Sequence, residues 1–332
     1  MPRIAAPIMN PLSRPETDSQ PSAGAVPAGA VPTGAVHVRR HWLSMATRLD
    51  VELVGADPEH LEAVAAAIED EVRRLDALLS RHDPTSEISR LNRRAAAEAV
   101  RVDADVWQLL CEAEHYRLAT EGFFDITAAS TIVSPAENNT PRLRLDATGQ
   151  TVRFSSDRVA IDLGGIGKGF ALDRAKQFLA RYGVESALLS AGTSSILAVG
   201  TPAPGAAWMA DVRHPADDGA EPIGRLALVD RSLSCSATVR PGQAISDIVD
   251  PHTGLPLSGG QAVVVLAPSG AQAEALSTAL LAMGRRRATE YLARAASAKV
   301  DVAWIDGHPP TPNLQCPTLQ SPNLQWLVRS HD

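Results

Sequence analysis

The sequence predicts an α+β protein in which mixed sheets pack against helices, with neither Rossmann nor P-loop topology. Three observations lead there. Segments with the two-residue alternation of strands interleave with segments of helical period, without the strict strand–helix alternation of a doubly wound parallel sheet. The glycine-dense turn at 162–169, where a nucleotide loop would be sought, matches neither known fingerprint. A length of 332 residues at 45% hydrophobic content is enough for a sizeable core.

Residues 1–38 read as a disordered low-complexity tail. They are rich in Pro, Ser, Gly and Ala and carry a short repeat beginning at Gly24, Gly29 and Gly34. Such a segment buries too little apolar surface to offset its ordering entropy. The folded domain is expected over 39–308. Thr47–Val54 alternates as a strand. Asp57 and Pro58 supply an N-cap and a proline at the first helical position, and the helix after them buries Leu61, Val64, Ile68, Val72, Leu75 and Leu79. Asp103–Leu118 is a second helix. The apolar run from Val159 that ends in Asp162 reads as a strand leading into the glycine turn, then a helix closed by Gly183. Ser186–Leu189 and Ser195–Val199 are strands joined by a turn of small residues. Trp208–Val212, Arg225–Val229 and Ala262–Leu266 are further strands. Ala271–Met283 is a helix closed by Gly284, Arg286–Ala296 another, and Val300–Ile305 a strand. Residues 309–332 form a C-terminal loop and a terminal strand at Gln325–Val328.

A net charge of −7 argues against nucleic-acid binding, which calls for a basic patch or stripe. Cys111, Cys235 and Cys316 form no CxxC pair and no zinc spacing, and a sparse, odd set suits a reducing compartment. No segment is apolar for long enough to span a bilayer, and no charged start followed by an apolar core marks a signal peptide. The expectation is a cytoplasmic protein without a membrane span.

The turn itself, Asp162-Leu163-Gly164-Gly165-Ile166-Gly167-Lys168-Gly169, has the makings of an anion site. Glycines admit close backbone approach, and a helix start with a lysine attracts negative charge. A Walker A loop fails because Asp162 stands at the first glycine and Gly169 follows the lysine. A Rossmann fingerprint fails because Phe170 replaces its third glycine. Two readings stay open on these residues: a cradle for a phosphate-bearing ligand, or a tight turn with a solvated lysine.

Several separated segments together resemble the FAD:protein FMN transferases, the ApbE family. They are Met45-Ala46-Thr47, the run from Ser80 to Asn92, Gly122–Thr127, the 162–173 turn, Ser190-Ala191-Gly192, Asp250-Pro251-His252-Thr253-Gly254 and the helix 273–278. The resemblance covers about residues 40 to 306. It implies the fold of those transferases and transfer of FMN from FAD to a Ser or Thr hydroxyl of an acceptor flavoprotein, releasing AMP, with Mg²⁺ at the pyrophosphate. It implies FAD contacts from Met45, His82, Phe123, Phe124, Asp125, Asp162, Lys168 and Ile248. It implies metal contacts from the Gly165 carbonyl, Glu274 and Thr278, with Ser277 at an occasional extra position. Glu274 and Thr278, four apart, share one helix face. The family has Asp where this chain has the longer Glu274.

Two departures bear on chemistry. Asp247 occupies the position of the histidine that the family pattern offers as base. A carboxylate can serve there, as it does in protein kinases, though it is ordinarily a weaker base than imidazole. Thr193 replaces a glycine after Gly192, which removes easy access to positive φ. Asp247 as catalytic base defines the leading reading. The alternatives are an FAD-binding protein without catalysis and an FAD pyrophosphatase giving FMN and AMP.

Overall fold

The computed structural model describes residues 34–128, 130, 142–213, 222–239, 245–295, 299–306 and 324–328. The expected tail up to Thr33, most of the C-terminal loop and Cys316 lie outside the described residues. In chain order the elements are β1 (Val36–Ser44), β2 (Thr47–Gly55), α1 (Pro58–Leu79), α2 (Glu87–Arg94), β3 (Val100–Arg101), α3 (Ala104–Ala119), β4 (Leu143–Asp146), β5 (Thr151–Phe154), α4 (Gly167–Arg181), β6 (Ser186–Ala191), β7 (Ser195–Val199), β8 (Trp208–Val212), β9 (Gly224–Leu228), β10 (Ser232–Ala237), β11 (Ala262–Ala267), α5 (Gly270–Arg294), β12 (Asp301–Ile305) and β13 (Leu324–Val328).

An eight-stranded sheet in the order β1-β2-β6-β7-β10-β11-β12-β13 forms the frame, and every neighbouring pair in it is antiparallel. Its middle strands are buried on both faces. In β11, Val263 and Val265 join the core shared with the helices, whereas Val264 and Leu266 join a second core. Trp208, Ala210, Val212, Leu226 and Leu228 of the β8–β9 hairpin belong to that second core. A strand buried on both sides has no reason to alternate in polarity, which is why 262–267 reads as a continuous apolar run. The helical layer lies on the other face, with α4 packed against α5 and α1. A small sheet, β3-β5-β4, completes the fold.

The edge strand β1 was not expected. It carries Arg39, Arg40 and His41, and buries Val38, Trp42 and Ser44; charged side chains suit an exposed sheet edge. It begins at Val36, inside the segment assigned to the tail. It turns into β2 through Met45 and Ala46, both at positive φ (52° and 56°), a two-residue hairpin of the type usually built from Asn-Gly. Asp76 of α1 holds this turn, accepting from the Met45 N–H at 2.7 Å and the Ser44 hydroxyl at 2.8 Å.

The strand expected from Val159 to Asp162 is a second correction. It joins no sheet. Asn92 takes its backbone instead, accepting from Ile161 N–H at 2.7 Å and donating to its carbonyl at 3.0 Å. The Ser130 hydroxyl exchanges bonds with both backbone groups of Ala160. Val159, Ile161 and Leu163 are nevertheless buried, so the apolar pattern is that of a core segment held by the Asn92 and Ser130 side chains and by the Ile126 carbonyl, which accepts from Asp162 N–H at 2.8 Å.

Gly284 breaks α5 with φ 70° and ψ 159°, so the two helical arms expected around it are present, joined across a kink.

Candidate active site

The site is assembled where the start of α4 meets the start of α5. The two helices touch through glycines. A Cβ on Gly169 would lie 2.2 Å from the Gly270 carbonyl oxygen, and one on Gly270 would lie 2.5 Å from that of Gly169. Asp173, one turn along α4, caps α5 by accepting from the N–H groups of Gly270 at 2.7 Å and Ala271 at 2.9 Å. Burial pushes the Asp173 carboxyl up to about 6, against the pull of those two donors.

This crossing delivers Glu274 to the first turn of α4. Its carboxylate is almost wholly buried. Oε2 accepts from the Gly169 N–H at 2.8 Å. Oε1 accepts from the Ser195 hydroxyl at 2.5 Å and lies 3.1 Å from Lys168 Nζ. The anion held by this helix start is therefore the carboxylate of Glu274, and Gly169 serves the helix crossing rather than ligand approach.

Thr278 faces the same turn from one helical turn further along. A Cβ on Gly165 would come 3.4 Å from Thr278 Oγ1 and 3.5 Å from Phe124 Cε2. The missing side chain at Gly165 thus keeps a cradle open between them. Ser277 points to the sheet. Its hydroxyl meets Ser236 at 2.8 Å, Ser234 at 3.0 Å and the Glu274 carbonyl at 3.1 Å. Its bonding is complete within the protein, so it braces α5 on β10. Ser236 also reaches Thr278, at 3.3 Å.

Asp162 lies at the outer lip. One oxygen accepts from the Gly164 N–H at 2.9 Å and the other pairs with Arg81 at 3.1 Å. His82 is exposed beside Arg81. Both follow the end of α1, the same end whose Asp76 holds Met45, so these positions share one rim of the fold.

Phe123 and Phe124 differ in role. Phe124 is buried against Gly165. Phe123 lies between the guanidinium of Arg287, 4.4 Å from its ring centroid, and the imidazole of His252, at 4.3 Å. Its ring is thus occupied by protein neighbours. Arg287 and Arg294 both pair with Glu121 at 2.9 Å, and the hydrogen bond from Arg287 holds that carboxyl below its usual range. Asp125 caps its own turn, accepting from Thr127 N–H at 2.7 Å and Oγ1 at 2.6 Å, and faces Arg142 at 3.7 Å.

Asp247 is exposed on the 245–257 loop. Its neighbours make capping bonds in that loop. Ser246 accepts from the Ile248 N–H at 3.0 Å, and Asp250 accepts from the His252 N–H at 2.8 Å and the Thr253 hydroxyl at 3.0 Å. Ile248 packs on the main core, while the His252–Phe123 contact ties the loop to the 121–125 segment. In the Gly192–Ser194 turn the positive φ falls on Gly192 alone, so Thr193 is accommodated without strain.

Mg²⁺ is the metal the resemblance implies. Among the described residues no group of three or more His, Cys, Asp or Glu side chains gathers to hold a metal. The cradle offers one carboxylate (Glu274), one hydroxyl (Thr278) and the open backbone of Gly165. These are hard oxygen donors, and Mg²⁺ commonly takes one or two carboxylates and completes its shell with water and substrate phosphate. The donor set fits such an ion.

Sequence reasoning missed Ser195, Asn92, Arg81, Asp173 and Arg287. Asn92 and Arg81 stand within or beside the recognised 80–92 run. Ser195 has only the period-two spacing to Leu197 as a signal.

The ApbE family model matches residues 45–304. A FAD:protein FMN transferase of Haemophilus influenzae is 25% identical over 70% of this chain and 74% of its own length. Another, of Rhodobacter capsulatus, is 30% identical over 57% of this chain and 40% of its own. The fold is similar to that of the flavin transferase ApbE of Vibrio cholerae, with TM-score 0.69 at 22% identity, covering 82% of this chain and 94% of that one. It is also similar to the apo flavinyl transferase ApbE of Pseudomonas stutzeri, with TM-score 0.71 at 21% identity, covering 83% and 92%.

Proposed function

The chain belongs to the ApbE family, and on that premise we propose that it transfers FMN from FAD to a Ser or Thr hydroxyl of an acceptor flavoprotein, releasing AMP, with Mg²⁺ at the pyrophosphate. The observation that carries this reading is the convergence of Glu274, Thr278, Lys168 and the bare Gly165 on one turn. The curated relatives bear the name of the same activity.

In this reading the acceptor hydroxyl oxygen attacks the phosphorus on the FMN side of the pyrophosphate. The bridging P–O bond breaks and AMP departs with its electron pair. Asp247 takes the hydroxyl proton. Glu274, Thr278 and the Gly165 carbonyl hold the metal, which when bound neutralises charge developing on the phosphates. Lys168 contributes a second cation at the same turn, and Asp162 and Arg81 define its outer lip. The hydroxyls of Ser277, Ser234 and Ser236 keep α5 in register, so that Thr278 and Glu274 are presented together.

The test mixes the protein with FAD, Mg²⁺ and an FMN-binding acceptor domain. A covalently fluorescent acceptor band with a matching mass increase and free AMP is expected. FMN and AMP released without a labelled acceptor would identify a pyrophosphatase. Tight FAD binding without turnover, against several acceptors, would identify a binding protein.

A further inference from the structure

Glu274 is the carboxylate of the cradle, and it is already engaged. Three groups attend it: the Gly169 N–H at 2.8 Å, the Ser195 hydroxyl at 2.5 Å and the Lys168 ammonium at 3.1 Å. They differ in freedom. Gly169 is fixed by the glycine crossing with α5. Ser195 is buried in β7. Lys168 is on a flexible stem, its side chain 23% exposed, and its other contact is the Gly164 carbonyl at 3.3 Å. The Gly169 N–H is backbone and the Ser195 side chain is enclosed in the core, so Lys168 is the one of the three whose charge can withdraw into solvent.

From this we infer that Lys168 is a tethered cation guarding Glu274. Without ligand it supplies the positive charge that a buried carboxylate requires. A divalent ion reaches Glu274 only as Lys168 withdraws toward solvent, where an anionic diphosphate would receive the displaced ammonium. Metal alone is then bound weakly, because the lysine must be moved to an unpaired position. Metal and diphosphate together are bound well, because each removes the other's cost, and the coupling is reciprocal. This inference rests on the placement of a metal at Glu274 proposed above.

The test uses Mn²⁺ alone, with no flavin, followed by electron paramagnetic resonance on the full chain. Lys168→Met should bind Mn²⁺ about tenfold tighter than wild type, within the usual range of coupling between sites. Glu274→Gln should abolish binding in either background. In the wild type, the rate of chemical acetylation at Lys168, read by mass spectrometry, should rise several-fold on Mn²⁺ addition. That second readout needs no variant to fold. Equal or weaker Mn²⁺ binding by a folded Lys168→Met, or unchanged labelling of Lys168 at saturating Mn²⁺, overturns the inference. Failure of every form to bind Mn²⁺ overturns it together with the metal assignment. Flavin binding and transfer by the wild type are scored separately and stand on their own.

Discussion

Asp247 is exposed on the 245–257 loop, and its substitution tests the assignment of the base. If it is the base, Asp247→Asn should lower the transfer rate about 100-fold, the lower end of what general base catalysis contributes. Asp247→His should keep or raise the rate, since imidazole is ordinarily the stronger base. Both variants should unfold within about 0.5 kcal/mol of wild type, as exposed substitutions usually do. Single-turnover transfer kinetics alongside urea titrations would check this, and an unaffected rate in Asp247→Asn would remove it as base. At this scale the sequence showed what sits four residues apart on one helix: Glu274 and Thr278 do face the glycine turn together. It concealed partners supplied from a distance. Ser195 reaches Glu274 across 79 positions, and Asn92 clamps Ile161 across 69; no local period encodes such pairs. The placement of Phe123 between His252 and Arg287 was hidden for the same reason.

Two glycines of one helix separate the reasons for glycine within α4. A Cβ on Gly169 would lie 2.2 Å from the backbone of α5, whereas one on Gly167 would meet only the Cβ of Leu163, at 3.8 Å. Gly169→Ala must push the helices apart, because the obstacle is a carbonyl and cannot rotate away. It should cost about 3 kcal/mol or more and disturb Glu274 with it. Gly167→Ala should be tolerated within about 1 kcal/mol. Urea unfolding of the pair would decide; equal losses would mean that the crossing can open without penalty. The same elements explain what was legible. The caps of α1, the closing Gly183 and the Gly284 break are local chemistry, and each is where the sequence puts it. β1 escaped because its turn is Met45-Ala46 rather than Asn-Gly and its charges hide its alternation. The run from Val159 to Asp162 was misread as a strand because burial produces the same apolar run whether or not a sheet ladder satisfies the backbone.

For the whole molecule, the sheet buries its centre on both faces, and the helical face alone builds the site. That division makes the α4–α5 junction the place where global stability and local geometry meet, and Asp173 holds it. Its carboxyl is raised to about 6 from an ordinary 3.8, chiefly by burial. The native state therefore binds this proton more readily than the unfolded chain. Stability from this group is lost as pH rises through 6 and recovered as pH falls toward 4. The full span is worth about 3 kcal/mol, at about 1.4 kcal/mol per pKa unit. Other carboxylates titrate in the same range, so the measurement must be a difference. Asp173→Asn removes this titration and leaves the rest. The stability of wild type minus that of Asp173→Asn, from urea unfolding, should rise by up to about 3 kcal/mol between pH 7 and pH 4. A flat difference would mean that Asp173 ionises in the fold as it does in the open chain, and that burial at this junction carries no electrostatic cost. The predicted slope would mean that at neutral pH the protein keeps a costly, partly buried charge at the start of α5, the helix on which Glu274 and Thr278 depend for their position.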